Sequence, residues 1–248
     1  MKVDRGKITF AVVALVLAAV FVRLGFWQLD RHAQRREANR LRSERTARPA
    51  LEVSSASDLA ALPPAESLAW RRVRLRGRWD FEHELLVAPR PHAGGPAVEL
   101  LTPLVLSGGT AVLALRGWLP APDGLHATIL RARPPSVEAS PEAIVMPPTR
   151  ARAGYRTVGR TEPTPVTVDG EPHFALRAPD VESASGTLPY PIASFYVLAL
   201  EALAAGSEIR PLRAPEPGTG PHLSYAIQWF AFALIAIVGT AAFLKKEG

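Results

Sequence analysis

Two stretches of this chain carry apolar residues without interruption, and the stretch between them alternates. From Ile8 to Val22 every residue is apolar or small except Thr9, and after Arg23 the run resumes as Leu24-Gly25-Phe26-Trp27-Gln28-Leu29. Fifteen residues make about 22 Å of helix, whereas Ile8 to Leu29 makes about 33 Å, enough for a hydrocarbon core of about 30 Å. Arg23 must then snorkel or find a partner. A second run, Leu223 to Leu244, carries no charge and gives the same helix length. Transmembrane helices are therefore expected over 8–29 and 222–244. A cleaved signal peptide is the rival for the first, since Lys2, Arg5 and Lys7 form a basic start before an apolar core. No Ala-x-Ala site follows, and Trp27 stands where an interface-anchoring aromatic would, so an uncleaved helix is the expectation.

Leu29 to about Arg48 is rich in Arg, Glu, Gln and Ala, and predicts that the first helix continues as a polar helix until Pro49. From Trp70 the period becomes two: Val73, Leu75, Gly77 and Trp79 alternate with Arg72, Arg74, Arg76 and Arg78, which reads as a strand with one arginine face. That face could meet lipid headgroups, an acidic partner, a propionate-bearing ligand or simply water. Leu85-Leu86-Val87 predicts a short strand ending before Pro89. Val98 to Leu106 and Thr110 to Leu119 predict a hairpin whose Ser107-Gly108-Gly109 turn supplies the positive φ values of a tight reversal. Further strands are expected at Tyr155–Arg160, Pro165–Val168 and Phe195–Leu198, with a turn at Asp169-Gly170 and a helix near Val181–Ala184. The expected fold is two transmembrane α-helices flanking a mainly β domain over 30–221, a small barrel or curved sheet with some helix (α+β).

Composition changes this picture in two ways. The absence of cysteine excludes disulfides, thiolate metal sites and cysteine nucleophiles. A net charge of +6 invites a nucleic-acid reading, but 23 basic and 21 acidic residues lie between the spans, so that stretch is almost balanced and no nucleic-acid partner is expected. The lysines, at 2, 7, 245 and 246, all lie outside it. With Arg5 they place the 1–7 segment and the 245–248 tail on the cytoplasmic side under the positive-inside rule, and the 30–221 domain extracytoplasmic. The arginines from Arg31 to Arg48 run against that rule, which long translocated domains largely escape.

Catalytic patterns are sparse. The histidines of the middle stretch, His32, His83, His92, His126 and His173, show no i, i+3 or i, i+4 pair, and HExxH, GxSxG, Walker and GxGxxG motifs are all missing. Glu82-His83-Glu84 is the densest polar cluster: on a strand its two glutamates share a face that could hold a general base, and otherwise it is an exposed turn. No enzyme is indicated.

The opening of the second span is more informative. At 3.6 residues per turn His222, Tyr225, Ala226, Trp229 and Ala233 fall along one stripe. An imidazole, a phenol and an indole with small alanines between them leave room for a flat aromatic ligand, whose metal His222 could bind. The same residues also suit an interfacial histidine capping its helix beside an aromatic belt, or a face for a partner helix.

The motif Leu24-Gly25-Phe26-Trp27-Gln28-Leu29-Asp30-Arg31, the hairpin segments Leu101-Thr102-Pro103-Leu104 and Arg116-Gly117-Trp118-Leu119-Pro120, and His222-Leu223-Ser224-Tyr225-Ala226-Ile227-Gln228-Trp229-Phe230 together resemble the surfeit-locus-one family of cytochrome c oxidase assembly factors. Their order, spacing and two-span plan agree across nearly the whole chain. Two positions depart from the family pattern: Arg35 stands for a lysine and Leu115 for an asparagine.

The resemblance implies a non-enzymatic, chaperone-like protein of the bacterial cell inner membrane that assists haem a delivery to, or maturation of, subunit one of the oxidase. The implied partners are that subunit and the haem a synthesis machinery, in contact with membrane lipid. It also implies that haem a is the cofactor, transiently bound, with His222 on the iron, and the helical stripe adds Tyr225 and Trp229 beside it. His222 should then lie level with Trp27, Gln28 and Asp30, with Arg31 or the 72/74/76/78 face near the propionates. A membrane scaffold for oxidase subunits without haem of its own is the alternative.

Overall fold

In the computed structural model, residues 5–130, 133, 136–147, 162–200 and 208–246 are described. In order, the elements are α1 (Arg5–Ala47), β1 (Leu51–Val53), α2 (Ala56–Ala60), α3 (Ala65–Leu68), β2 (Arg72–Leu75), β3 (Gly77–Trp79), β4 (Leu85–His92), β5 (Gly95–Val105) and β6 (Ala111–Pro120). They continue with β7 (Glu138–Ala139), β8 (Glu142–Val145), β9 (Thr164–Val168), β10 (Glu171–Leu176), α4 (Val181–Ser185), β11 (Ile192–Ala199) and α5 (His222–Lys246). The chain divides into two compact units, Met1–Ser43 with Glu216–Gly248 and, separately, Glu44–Pro215.

The first unit is helical. α1 runs for 43 residues without a break, ending two residues before Pro49 as its polar second half predicts. α5 runs for 25 residues. Both are long and apolar enough to cross a bilayer, which points to a membrane protein. Arg23 is exposed on α1, where its long side chain is free to snorkel.

The second unit is sheet-rich. β2 and β3 form one strand interrupted at Arg76, and the alternation seen in the sequence is realised: Val73, Leu75 and Trp79 are buried while Arg74, Arg76 and Arg78 are exposed. β2 pairs with β8, β8 with β11, β11 with β6, β6 with β5, and β5 with β3. That path returns to its starting strand, so the sheet closes around Val73, Leu75, Trp79, Leu104, Val112 and Val197. β4, β10 and β9 extend it beyond β5, whose side chains enter three apolar clusters and are buried from Ala97 to Leu104. Such a strand loses the period-two signal and reads as a continuous apolar run. Leu115, where the family pattern has asparagine, packs in the apolar cluster of Leu113, Tyr196 and Leu198, where an amide would need partners.

The predicted hairpin is present, with Gly108 and Gly109 at φ +89° and +79°. The Asp169-Gly170 turn joins β9 to β10, and α4 begins where expected, with the Asp180 carboxylate accepting from the Glu182 and Ser183 N–H groups. One expectation is corrected: the strand expected to stop before Pro89 continues to His92, because its register with β5 is broken between Val87 and Arg90 and the ladder asks no N–H of the proline. Of the two readings of Glu82-His83-Glu84 the turn holds and the shared strand face does not: the Asp80 carboxylate accepts from the Glu82 and His83 N–H groups and Glu82 stays exposed, while Glu84, against the exposed reading, swings into the core. Strands β1, β7, β8 and β10 were not expected. The strand expected at 155–160 lies outside the described residues.

Glu84 explains the largest buried side chain of the domain. Its carboxylate accepts hydrogen bonds from the Arg116 guanidinium and the Thr102 hydroxyl, and Arg116 Nε donates to Thr102 Oγ1 at 2.5 Å. Both charged side chains are fully buried. The guanidinium lies over the Phe81 ring at 5.1 Å, and His173 Nδ1 donates to the Glu84 carbonyl at 2.9 Å. This network pins β4, β5, β6 and β10 together. Asp80 is a smaller hub: burial pushes its carboxyl up, but hydrogen bonds from Tyr190, from the His83 ring and from the His83 backbone outweigh it and hold the group below its ordinary value. Its stabilising contribution is thus present above the unfolded carboxylate range and fades as the pH falls through the folded value.

Two expected outcomes follow from this packing. Arg116→Met or Glu84→Leu alone strands a buried charge and lowers stability by about 3–5 kcal/mol, whereas the double variant recovers most of the loss; denaturation of the purified protein reads both. A Cβ at Gly117 would meet the Arg210 carbonyl oxygen at 2.5 Å and one at Gly77 the Val105 carbonyl oxygen at 2.5 Å, while Gly95 has open space around it. Gly117→Val and Gly77→Glu should each cost at least about 1–3 kcal/mol and reduce accumulation in cells, with Gly95→Ala close to wild type.

Candidate functional site at the ends of the helix pair

α1 presents Ala11, Ala14, Ala18, Phe21, Gly25 and Gln28 at alternating steps of three and four residues, the spacing of a helix-packing seam. Ala18 and Gly25 are buried. The facing seam of α5 is made by Ala226, Ala233 and Thr240, all buried and seven residues apart. Phe10 meets Phe243 with ring centroids 5.0 Å apart, and Phe21 meets Phe232 at 5.9 Å, so the helices run antiparallel. Small residues let the backbones approach, which is what drives helix association where lipid offers no hydrophobic contrast. Gly25 is the tightest point, since a Cβ there would stand 2.6 Å from the Phe230 ring.

This seam sets the surroundings of the residues singled out in the sequence. His222, in the first turn of α5, does not cap its own helix. Its Nδ1 lies 2.9 Å from Gln28 Oε1 across the seam. A carbonyl oxygen only accepts, so Nδ1 carries the proton and Nε2 presents its lone pair. Gly220, at φ +68°, stands beside that nitrogen: a Cβ there would lie 3.3 Å from His222 Nε2 and Cδ2. Trp229 is partly buried and stacks on Phe21, centroids 5.6 Å apart and planes 25° apart. Tyr225 is 46% exposed at the margin of the stripe, away from the α1 seam. The structure thus brings His222 to Gln28 and Trp229 to Phe21, while Tyr225 faces outward, as do Trp27 and Asp30.

The arginines considered for propionates are engaged in different ways. Arg31 donates to Gln34 Oε1 at 2.8 Å. On the sheet, Arg72 pairs with Glu142, and Arg74 with Glu52 at 2.7 Å, so half of the arginine face is neutralised by its neighbours. Arg76 and Arg78 make no ion pair among the described residues and line an open cavity of about 780 Å³ with Asp80, Glu82 and Glu138, a wall of mixed charge. No group of three or more metal-ligating side chains occurs among the described residues. The sequence placed Gln28 level with His222, as found, but gave it no role in the site, although its place one seam step beyond Gly25 was the available signal.

A family model described as the SURF1 family matches residues 15–234. Uncharacterized SURF1-like proteins of Mycobacterium tuberculosis and Mycobacterium bovis are each 27% identical over 248 residues, covering 98% of this chain and 84% of theirs.

The packing makes Gly25 the control point of the site. Gly25→Val should push Phe230 away and separate Gln28 from His222. In this cysteine-free chain, Phe21→Cys with Trp229→Cys should be joined by a short thiol cross-linker in the Gly25 background, with a clearly lower yield in the Gly25→Val background.

Proposed function

Since the chain belongs to the SURF1 family, a family of cytochrome oxidase assembly factors, we propose that it binds haem a through His222 and assists its delivery to, or maturation in, subunit one of the oxidase. The observation that carries this reading is the disposition of the two ring nitrogens of His222: Gln28 accepts from Nδ1, which fixes the tautomer and leaves Nε2 as a ligand atom beside a glycine that offers no side chain. An outer partner of this kind is what an iron- or zinc-binding histidine ordinarily has. The residues therefore fit the group, which would supply an iron that His222 could hold through its imidazole.

In this reading His222 holds the iron, Gln28 orients the imidazole, and Trp229 acts through Phe21 by keeping the two helices in register. Tyr225, exposed at the margin, presents its ring to whatever lies beside the helix pair. The chain performs no chemistry of its own on the pigment. Both termini are cytoplasmic and the 30–221 domain is extracytoplasmic in the bacterial cell membrane, which the basic residues 2, 5, 7, 245 and 246 support. The subunit, and the machinery that makes haem a, are the partners.

One observation favours the scaffold alternative: the contacts of His222 with Gln28 and of Trp229 with Phe21 are themselves helix-packing contacts. The two readings separate sharply on one substitution. The wild-type protein purified from cells that make haem a should carry the pigment, and His222→Ala should lose it while remaining inserted. Loss of an interhelical hydrogen bond alone costs about 0.6 kcal/mol and would leave the protein otherwise as before. Tyr225→Phe should matter little and Trp229→Ala more. If wild type and His222→Ala carry the same pigment, or neither carries any, the scaffold reading takes its place.

Reporter fusions at both termini should score cytoplasmic and a fusion near residue 140 should score exported; an exported carboxyl terminus contradicts the proposed orientation.

A further inference from the structure

We propose that the face of α1 turned away from α5 binds the phosphate of an anionic phospholipid, with Arg23 and Arg31 as its ligands on either side of Trp27, whether or not a haem is bound. At about 100° per residue, Arg23, Trp27 and Arg31 fall along one stripe, on the side of the helix opposite to the seam of Ala18 and Gly25. All three are exposed, Trp27 to 46%, whereas Ala18 and Gly25 are buried. Val16 and Val20, lower on the same stripe, are exposed as well. In a bilayer this is a surface for acyl chains with a tryptophan at its upper end, where interfacial aromatics stand.

Arg23 gives that surface a need for a ligand. It stands six residues before Leu29, the last apolar residue of the run, and so about 9 Å inside it. It makes no hydrogen bond or ion pair among the described residues. Ionisable side chains within a span almost always face the bundle interior and are paired there. This one lies on the opposite face, so its partner comes from outside the chain. Carrying the guanidinium toward the nearer membrane surface brings it to the level of Trp27, where lipid phosphates begin.

Arg31 approaches that level from the polar side. Eight residues of helix, about 12 Å, separate it from Arg23, and helical side chains lean toward the amino terminus, which for Arg31 is toward Trp27. It gives one N–H to the neutral amide of Gln34 at 2.8 Å, which leaves its charge unbalanced. A phosphate is the stronger acceptor, because both partners are then charged and the guanidinium takes it with two parallel hydrogen bonds. The surrounding charge selects the kind of lipid. Arg23, Arg31 and Arg35 stand against Asp30 alone, since Glu37 is committed to Arg40. A zwitterionic headgroup carries its own cation beside the phosphate, which these arginines repel; an anionic headgroup carries none.

The test uses the full-length protein reconstituted in phosphatidylcholine bilayers, with a rising fraction of the lipid replaced by brominated phosphatidylglycerol or, in a parallel series, by brominated phosphatidylcholine. Bromine quenches a tryptophan that it touches, and subtracting the signal of a Trp27→Phe counterpart isolates Trp27 from the remaining tryptophans. Phosphatidylglycerol should quench Trp27 at the lower fraction. Arg23→Gln and Arg31→Gln should each weaken that preference about fivefold, and Arg31→Lys less than Arg31→Gln. Arg36→Gln, which removes an equal charge from the α5 side of α1, should leave it unchanged. Arg23→Gln takes a charge out of the apolar run and so favours insertion, which keeps that variant measurable. Equal quenching of wild type by the two lipids overturns the proposal, as do Arg23→Gln and Arg31→Gln variants that remain as selective as wild type. A loss in Arg36→Gln as large as theirs reveals a diffuse field of charge with no site, and overturns it too. Haem content enters none of these measurements, so their outcome is separate from that of His222→Ala.

Discussion

The site depends on how closely α1 and α5 approach. Gly25 leaves the Phe230 ring in the volume its own side chain would fill, and Ala18, Ala226 and Ala233 keep the rest of the seam narrow. At that separation a glutamine on one helix reaches a histidine on the other, and Phe21 reaches Trp229. A bilayer gives two apolar helices little reason to associate, so close packing and the polar contact at its end must provide it. The same contact fixes which nitrogen of His222 is left to bind, so association and ligand presentation share one geometry.

In the sheet-rich unit the comparable constraint is a buried charge pair. Arg116 and Glu84 are removed from water entirely, and what makes this tolerable is that Thr102, the Phe81 ring and the paired charge surround the guanidinium. Such a network adds little to stability relative to well-packed apolar residues, but it is unforgiving of partial replacement. It holds β4, β5 and β6 at the point where the closed part of the sheet gives way to the β4–β10–β9 extension. Gly117, next to Arg116, lets the segment at Ile209–Arg210 lie against β6, with Trp118 and Arg210 exchanging backbone hydrogen bonds at 2.9 Å. The Arg116-Gly117-Trp118 segment thus does three separate structural jobs in consecutive residues.

Much of this was legible in the sequence, and for local reasons. The two apolar runs, the polar continuation of α1 up to Pro49, the period-two arginine strand and the Gly108-Gly109 turn are each specified by neighbours a few residues away. What went unseen is short, irregular or non-local. β7 has two residues and β1 three, too few for a period to show. β4 passes through Pro89 because its partner strand shifts register there, which only the pairing reveals. Glu84 resembled a surface acid because the residue that buries it, Arg116, is distant in the chain.

For the site the division is similar. The sequence by itself determined that His222, Tyr225 and Trp229 begin an apolar helix and that Gln28 ends another, because helix periodicity and apolar length are properties of a single segment. Only the tertiary structure decided that Gln28 takes Nδ1 of His222 and that Trp229 faces Phe21 while Tyr225 turns outward. The stripe on α5 is wide enough to include all three aromatic or imidazole side chains, and nothing within α5 says where along that arc α1 will lie. The partner helix sets that angle through Gly25 and Ala18, nearly two hundred residues away in sequence, where the lack of a side chain permits contact.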